Sequence, residues 1–144
     1  MSPEEFAAAS GVPQNRFHPL VFIHGEPVIG EGVYVGLFSE VNASGTTVTI
    51  GDHCDIASFV AINAADSHLK CIGVSDTIIR RPITLESHVF IGSHSVILGG
   101  THLGHHSVVA AGSVVNGLKA PPYSLIAGNP AVVAAGYYEN RLKS

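Results

Sequence analysis

The residues of this chain best suited to chemistry are its histidines, of which there are nine. Imidazole titrates near neutrality and can take a proton from a hydroxyl or an ammonium group. His68, in Asp66-Ser67-His68, lies in the longest stretch that escapes the regular pattern described below. Its spacing leaves two readings open: a base carried on a loop, or an exposed histidine with no role. His53, His88, His94 and His106 instead recur at regular positions that suit turn residues, because His tolerates positive φ better than most types. His88 and His106 are eighteen residues apart. The two cysteines are too few for a disulfide framework. Cys54 falls on an inward position and reads as core. Cys71 has no evident cation to lower its pKa and receives no nucleophilic role.

Composition narrows the partners. Seven Lys and Arg against eleven Asp and Glu give a net charge of −4, which argues against nucleic acid and against an anionic membrane surface. Apolar residues make up 46 % of the chain and charged residues 12 %, enough for a sizeable core and against disorder. No apolar run approaches the roughly 18 residues of a spanning helix. Met1 to Phe6 is acidic and lacks the order of a secretory signal, so the expected compartment is the cytoplasm.

What must position the histidines is a six-residue repeat. Ile, Leu or Val stands at every sixth residue in three runs: Ile23, Ile29, Val35, Val41; Ile50, Ile56, Ile62; and Leu85, Ile91, Ile97, Leu103, Val109, Val115. Two residues earlier stand small or β-branched types such as Val48, Cys54, Val60, Ser95, Thr101, Ser107 and Ser113. Residues two apart in a strand share a face, so both sites point into one narrow interior. Each hexad is then a short strand and a two-residue turn, and the second turn residue is often Gly or His (Gly32, His53, His88, His94, Gly100, His106, Gly112). Stacked repeats bury a continuous core.

The period breaks twice. Three extra residues fall within Ala43 to Thr47, and seventeen within Ala64 to Pro82. Val41 and Ile62 lie on one face a coil apart, so both insertions leave from one corner on adjacent coils. Insertions that share a face mark the binding side of a repeat protein. Ser2-Pro3-Glu4-Glu5 predicts a short helix over 3–10, ended by Gly11. After Val115 the repeat is expected to stop. Residues 1–20 then form a helix and lead-in, 21–118 the repeat with its loop 64–82, and 119–144 an extension that packs back on the last coil and frays from Glu139. The whole reads as one domain.

Several segments carry a resemblance: Pro82-Ile83-Thr84-Leu85, Val89-Phe90-Ile91-Gly92-Ser93-His94, Ser107-Val108-Val109-Ala110-Ala111-Gly112-Ser113 and Ala127-Gly128-Asn129-Pro130. They resemble the hexapeptide-repeat acyltransferases, nearest to the maltose and galactoside O-acetyltransferases and the bacterial polysaccharide-sugar acetyltransferases. The resemblance implies an all-β fold, a left-handed parallel β-helix of about four triangular coils with one long loop. It implies transfer of an acetyl group from acetyl coenzyme A, as co-substrate, to a hydroxyl or amine of a sugar or nucleotide-linked sugar. His68 matches the loop histidine that serves the family as general base. Ser93 and Ala111 match positions whose main chain lies near the thiol end of the coenzyme, in a groove between subunits of a homotrimer. No metal is expected.

The chain also departs from the family. The Thr-Lys that often follows the last hexad is here Asn116-Gly117, with Lys119 two residues on as the nearest cation for a coenzyme phosphate. The Arg common after Gly-Asn-Pro-Ala is Val132. Arg80, Arg81, Arg141 and Lys143 remain as further cations. The acceptor-binding residues of the galactoside enzymes are not recognisable between Glu40 and Thr47, so a simple galactoside is not the expected acceptor. A non-catalytic scaffolding β-helix is the alternative. A zinc hydratase like the γ-class carbonic anhydrases, which the repeats also resemble, needs a histidine pair five residues apart that this chain lacks.

Overall fold

The structure, a computed structural model, describes residues 1–17 and 19–141. Helix α1 (Pro3–Ser10) has the expected capping box: Glu5 N–H donates to Ser2 Oγ, and Ser2 N–H to the Glu5 carboxylate. Gly11 ends it at φ 74°.

From Phe22 onward the chain winds as a three-faced parallel solenoid. The strands of face 1 are Phe22–His24, Glu40–Asn42, Ala61–Asn63, Val96–Leu98 and Val114–Asn116. Face 2 holds Val28–Ile29, Val48–Ile50, Ile83–Leu85, His102–Leu103 and Lys119–Ala120. Face 3 holds Tyr34–Val35, Asp55–Ile56, Phe90–Ile91, Val108–Val109 and Leu125–Gly128, and Ala131–Ala134 closes it by pairing antiparallel.

The marked aliphatics stack in register up each face. Ile23, Val41, Ile62, Ile97 and Val115 form one column. Ile91, Ile97, Leu103 and Val109 are all fully buried. The positions two residues earlier turn inward too, and their hydroxyls are satisfied by the neighbouring coil. Ser95 Oγ donates to the Ala110 carbonyl and accepts from Ser113 N–H, and Ser107 Oγ joins Pro121 and Ser124 in the same way. Buried polar groups without such partners would be costly.

The solenoid has about five coils rather than the four expected, because the repeat does not stop at Val115. Ala120 pairs beside Leu103, and Ile126 beside Val109. The step from Val115 to Ala120 is five residues instead of six, which hides the last coil from a strict count. Beyond Gly128 the chain turns back, and Ala131–Ala134 pairs antiparallel with Leu125–Gly128. The positive-φ turn positions are those anticipated: His53, His88, His94 and His106 lie at φ 56–64°.

Candidate functional site

Three edges join the faces, and each carries different chemistry. The edge from face 1 to face 2 carries both insertions. The chain leaves face 1 by the same device twice: Asn42 Oδ1 accepts from Ser44 N–H and Asn63 Oδ1 from Ala65 N–H, at 3.0 and 3.2 Å. Such side-chain turns bend the backbone outward. The two insertions touch, since the Arg80 guanidinium donates to the Ser44 carbonyl.

The longer insertion is not an irregular loop. Ala65–Asp66 and Ile79–Arg80 pair as an antiparallel ribbon, and one helical turn, α2 (His68–Cys71), stands between them. The ribbon places Asp66 just ahead of α2, and Asp66 Oδ1 meets His68 Nδ1 at 2.8 Å. Both side chains are about half exposed, at 48 % and 55 %. A carboxylate on Nδ1–H leaves the lone pair on Nε2, the tautomer of a base. Nε2 of His68 has no partner among the described residues.

The basic residues separate. Arg80 braces the two insertions through one of its N–H groups. Arg141 lies over the Tyr137 ring in the C-terminal tail. Lys119 Nζ donates to the Gly100 carbonyl, and the Arg81 side chain lies over Gly99 and Gly100. Neither Lys119 nor Arg81 forms an ion pair among the described residues. Both are exposed, so this corner presents two positive charges beside glycine main chain. Lys143 lies outside the described residues.

The edge from face 3 to face 1 carries Ser93 and Ala111, one above the other. Gly112 N–H donates to the Ser93 carbonyl, and Ser93 Oγ to the Ser58 carbonyl. The main-chain N–H groups of Ser93 and Ala111 have no acceptor among the described residues. Matching turns on the edge from face 2 to face 3 show what such groups take. There Glu31 N–H donates to Asp52 Oδ1 at 2.8 Å and His105 N–H to Glu86 Oε1 at 3.0 Å. A turn of this type therefore accepts an anionic oxygen. His68 and the Ser93–Ala111 turns lie on opposite edges of face 1, so one chain does not bring them together. Lys119 shares the edge of His68.

The edge from face 2 to face 3 is a ladder of rings. His53, His88, His106 and Tyr123 stack at centroid spacings of 5.1, 4.6 and 5.2 Å. His105 Nδ1 meets His106 Nδ1 at 2.9 Å, and Glu86 Oε2 meets His102 Nε2 at 2.6 Å. Burial, then the neighbouring His88 and His105, push the His106 imidazole below its usual range. The hydrogen bond from His102 holds the Glu86 carboxyl below the usual carboxylate range. Among the described residues no group of three His, Cys, Asp or Glu is placed to hold a metal ion. Cys54 is buried as expected, and burial raises its pKa. Cys71 is exposed at the end of α2. No described helix is long and apolar enough to cross a membrane.

Of these groups, the sequence signalled the histidine, the serine and the lysine but not Asp66, which becomes a partner only once the ribbon closes. A parallel three-faced solenoid built on hexads is a recurrent repeat architecture, and comparison with known proteins places this chain in it. Residues 82–117 match the family described as bacterial transferase hexapeptide (six repeats). Galactoside O-acetyltransferase of Escherichia coli K12 is 34 % identical over 114 residues, 78 % of this chain and 55 % of that enzyme. A hexapeptide-repeat acetyltransferase of Vibrio cholerae, solved with acetyl coenzyme A, is 30 % identical. That match covers 78 % of this chain and 68 % of that one, with a TM-score of 0.55. The N-acyltransferase AntD of Bacillus cereus shares the fold at a TM-score of 0.71 and 19 % identity, over 81 % of this chain and 65 % of that one. The chain belongs to the hexapeptide-repeat transferase family. It spans about half the length of the galactoside enzyme.

Proposed function

We propose that the protein transfers an acetyl group from acetyl coenzyme A to a hydroxyl or amine of a sugar or nucleotide-linked sugar. The observation that carries this reading is the Asp66–His68 pair on the inserted ribbon, 2.8 Å apart and open to solvent. His68 Nε2 takes the proton of the acceptor as its oxygen or nitrogen attacks the thioester carbon. The free N–H groups of Ser93 and Ala111 receive the carbonyl oxygen as it becomes an oxyanion. Collapse breaks the carbon–sulfur bond, and the departing thiolate recovers the proton from His68. Asp66 holds the ring while it carries that proton. No acyl-enzyme forms. Lys119, with Arg81 beside it, offers charge to a phosphate.

His68 and the Ser93–Ala111 turns can meet only across two chains, which supports a site shared between subunits of a homotrimer. The Escherichia coli relative acts on galactosides, and the Vibrio cholerae relative was solved with acetyl coenzyme A. The test is release of free thiol from acetyl coenzyme A with a panel of sugars and nucleotide sugars. Acceptor-dependent release by the wild type and its loss in His68→Ala supports the reading. Release that survives in His68→Ala contradicts it.

A further inference from the structure

The two ring ladders of the solenoid are offset: one begins after Gly32, and the other ends at Gly112. On the edge from face 2 to face 3, four successive coils each supply a ring: His53, His88, His106 and Tyr123. On the edge from face 3 to face 1 the corresponding residues are Phe38, Phe59, His94 and Gly112, all at positive φ. Phe38 and Phe59 stack at 5.4 Å and 20°, and Phe59 and His94 at 5.0 Å and 5°. There the ladder stops. A Cβ built on Gly112 meets no atom within 4 Å, whereas one built on Gly32 would meet the His53 ring, and His94 is exposed.

The backbone does not demand glycine here. Gly112 has φ 72°, while four histidines of this chain sit in equivalent turns at 56–64°. What glycine provides is the space of one ring. That space adjoins the unpartnered N–H of Ala111. Two residues past Gly112, Val114 joins Asn116, Leu118, Asn129, Pro130 and Ala131 in lining a cavity of about 160 Å³.

We infer that a planar group of a bound ligand, an amide or a heteroaromatic ring, occupies the missing rung and stacks on His94. The identity of that ligand rests on the acyl-transfer reading, which offers two sources of the same chemistry. One is an amide of the pantetheine arm, the other the base of a nucleotide-linked acceptor. His94 is then a positioning residue. It supports the ligand and takes no part in proton transfer.

Calorimetric titration of coenzyme A, pantetheine and uridine diphosphate into wild type, Gly112→His and His94→Asn tests this. Histidine already occupies four equivalent turns of this chain at positive φ, so Gly112→His completes the ladder at a small backbone cost, and Gly112→Asn serves if the larger ring prevents folding. Filling the rung weakens the ligand that uses it by about tenfold or more, the scale of one stacked base. Loss confined to coenzyme A and pantetheine assigns the rung to the coenzyme arm, and loss confined to the diphosphate assigns it to the acceptor base. In turnover, His94→Asn raises KM while kcat holds, which a folding defect would not do. If every probe that binds wild type binds the variants within about twofold, the inference fails, and thiol release that continues unaltered leaves acyl transfer standing. If wild type releases no thiol yet Gly112→His abolishes diphosphate binding, acyl transfer fails and the rung stands. Wild type that binds none of the three probes overturns both.

Discussion

The proposed reaction turns on one imidazole and the carboxylate that orients it. Asp66 bonded to Nδ1 leaves Nε2 of His68 as the basic nitrogen. Asp66→Asn keeps the shape but can present the wrong tautomer, and it removes the charge that steadies the imidazolium. Its turnover is expected to fall about 10–100-fold. His68→Ala is expected to lose about 10²–10⁴. Steady-state thiol release with coenzyme binding intact in both variants checks this order; an Asp66→Asn variant with full activity would show that the pair has no catalytic part. The histidine was legible in the sequence because it breaks the repeat. Its partner was not, because nothing in Asp66-Ser67-His68 tells that a ribbon turns the carboxylate back onto the ring. The contact of Arg80 with Ser44 was equally illegible, because it needs the first insertion to lie beside the second.

At the scale of elements, the strands are too short to hold alone and depend on hydroxyls and rings passed from coil to coil. Ser95→Ala leaves Ser113 N–H without its acceptor in the interior and is expected to cost about 1–3 kcal/mol, read from urea unfolding. The histidine ladder makes stability depend on pH. The folded state binds the His106 proton less readily than the unfolded chain, whose imidazole titrates near 6.5. Stability is therefore complete above that value and declines as pH falls below it. Glu86, lowered below 4.5, works in the same direction further down, its contribution surviving until pH falls through its depressed pKa. Melting temperatures from pH 8 to 5 should drop below about 6.5, and His106→Asn, which keeps the turn, should flatten the drop. An unchanged slope would show that the ladder does not titrate. Phase, faces and turns of these elements followed from the hexads, since Ile97 or Leu103 can point only one way in a strand of two or three residues. The fifth coil escaped because a single missing residue between Val115 and Ala120 shifts the count.

On the scale of the whole molecule, the two edges of face 1 carry the two groups of residues that the proposed reaction needs. The insertion marked His68 and the family resemblance marked Ser93 and Ala111, while the hexad count by faces puts them at different corners. Light scattering is expected to give a homotrimer at micromolar concentration. The direct test of a shared site is subunit mixing. His68→Ala removes the base from one edge, and Ala111→Trp blocks the exposed turn on the other. Each variant alone should be inactive. Mixed at random in equal amounts, a site between neighbours is intact whenever an Ala111→Trp chain lends its His68 to the open turn of a His68→Ala chain, giving about a quarter of wild-type activity. A mixture as inactive as its two components would place the whole site within one chain and contradict the account.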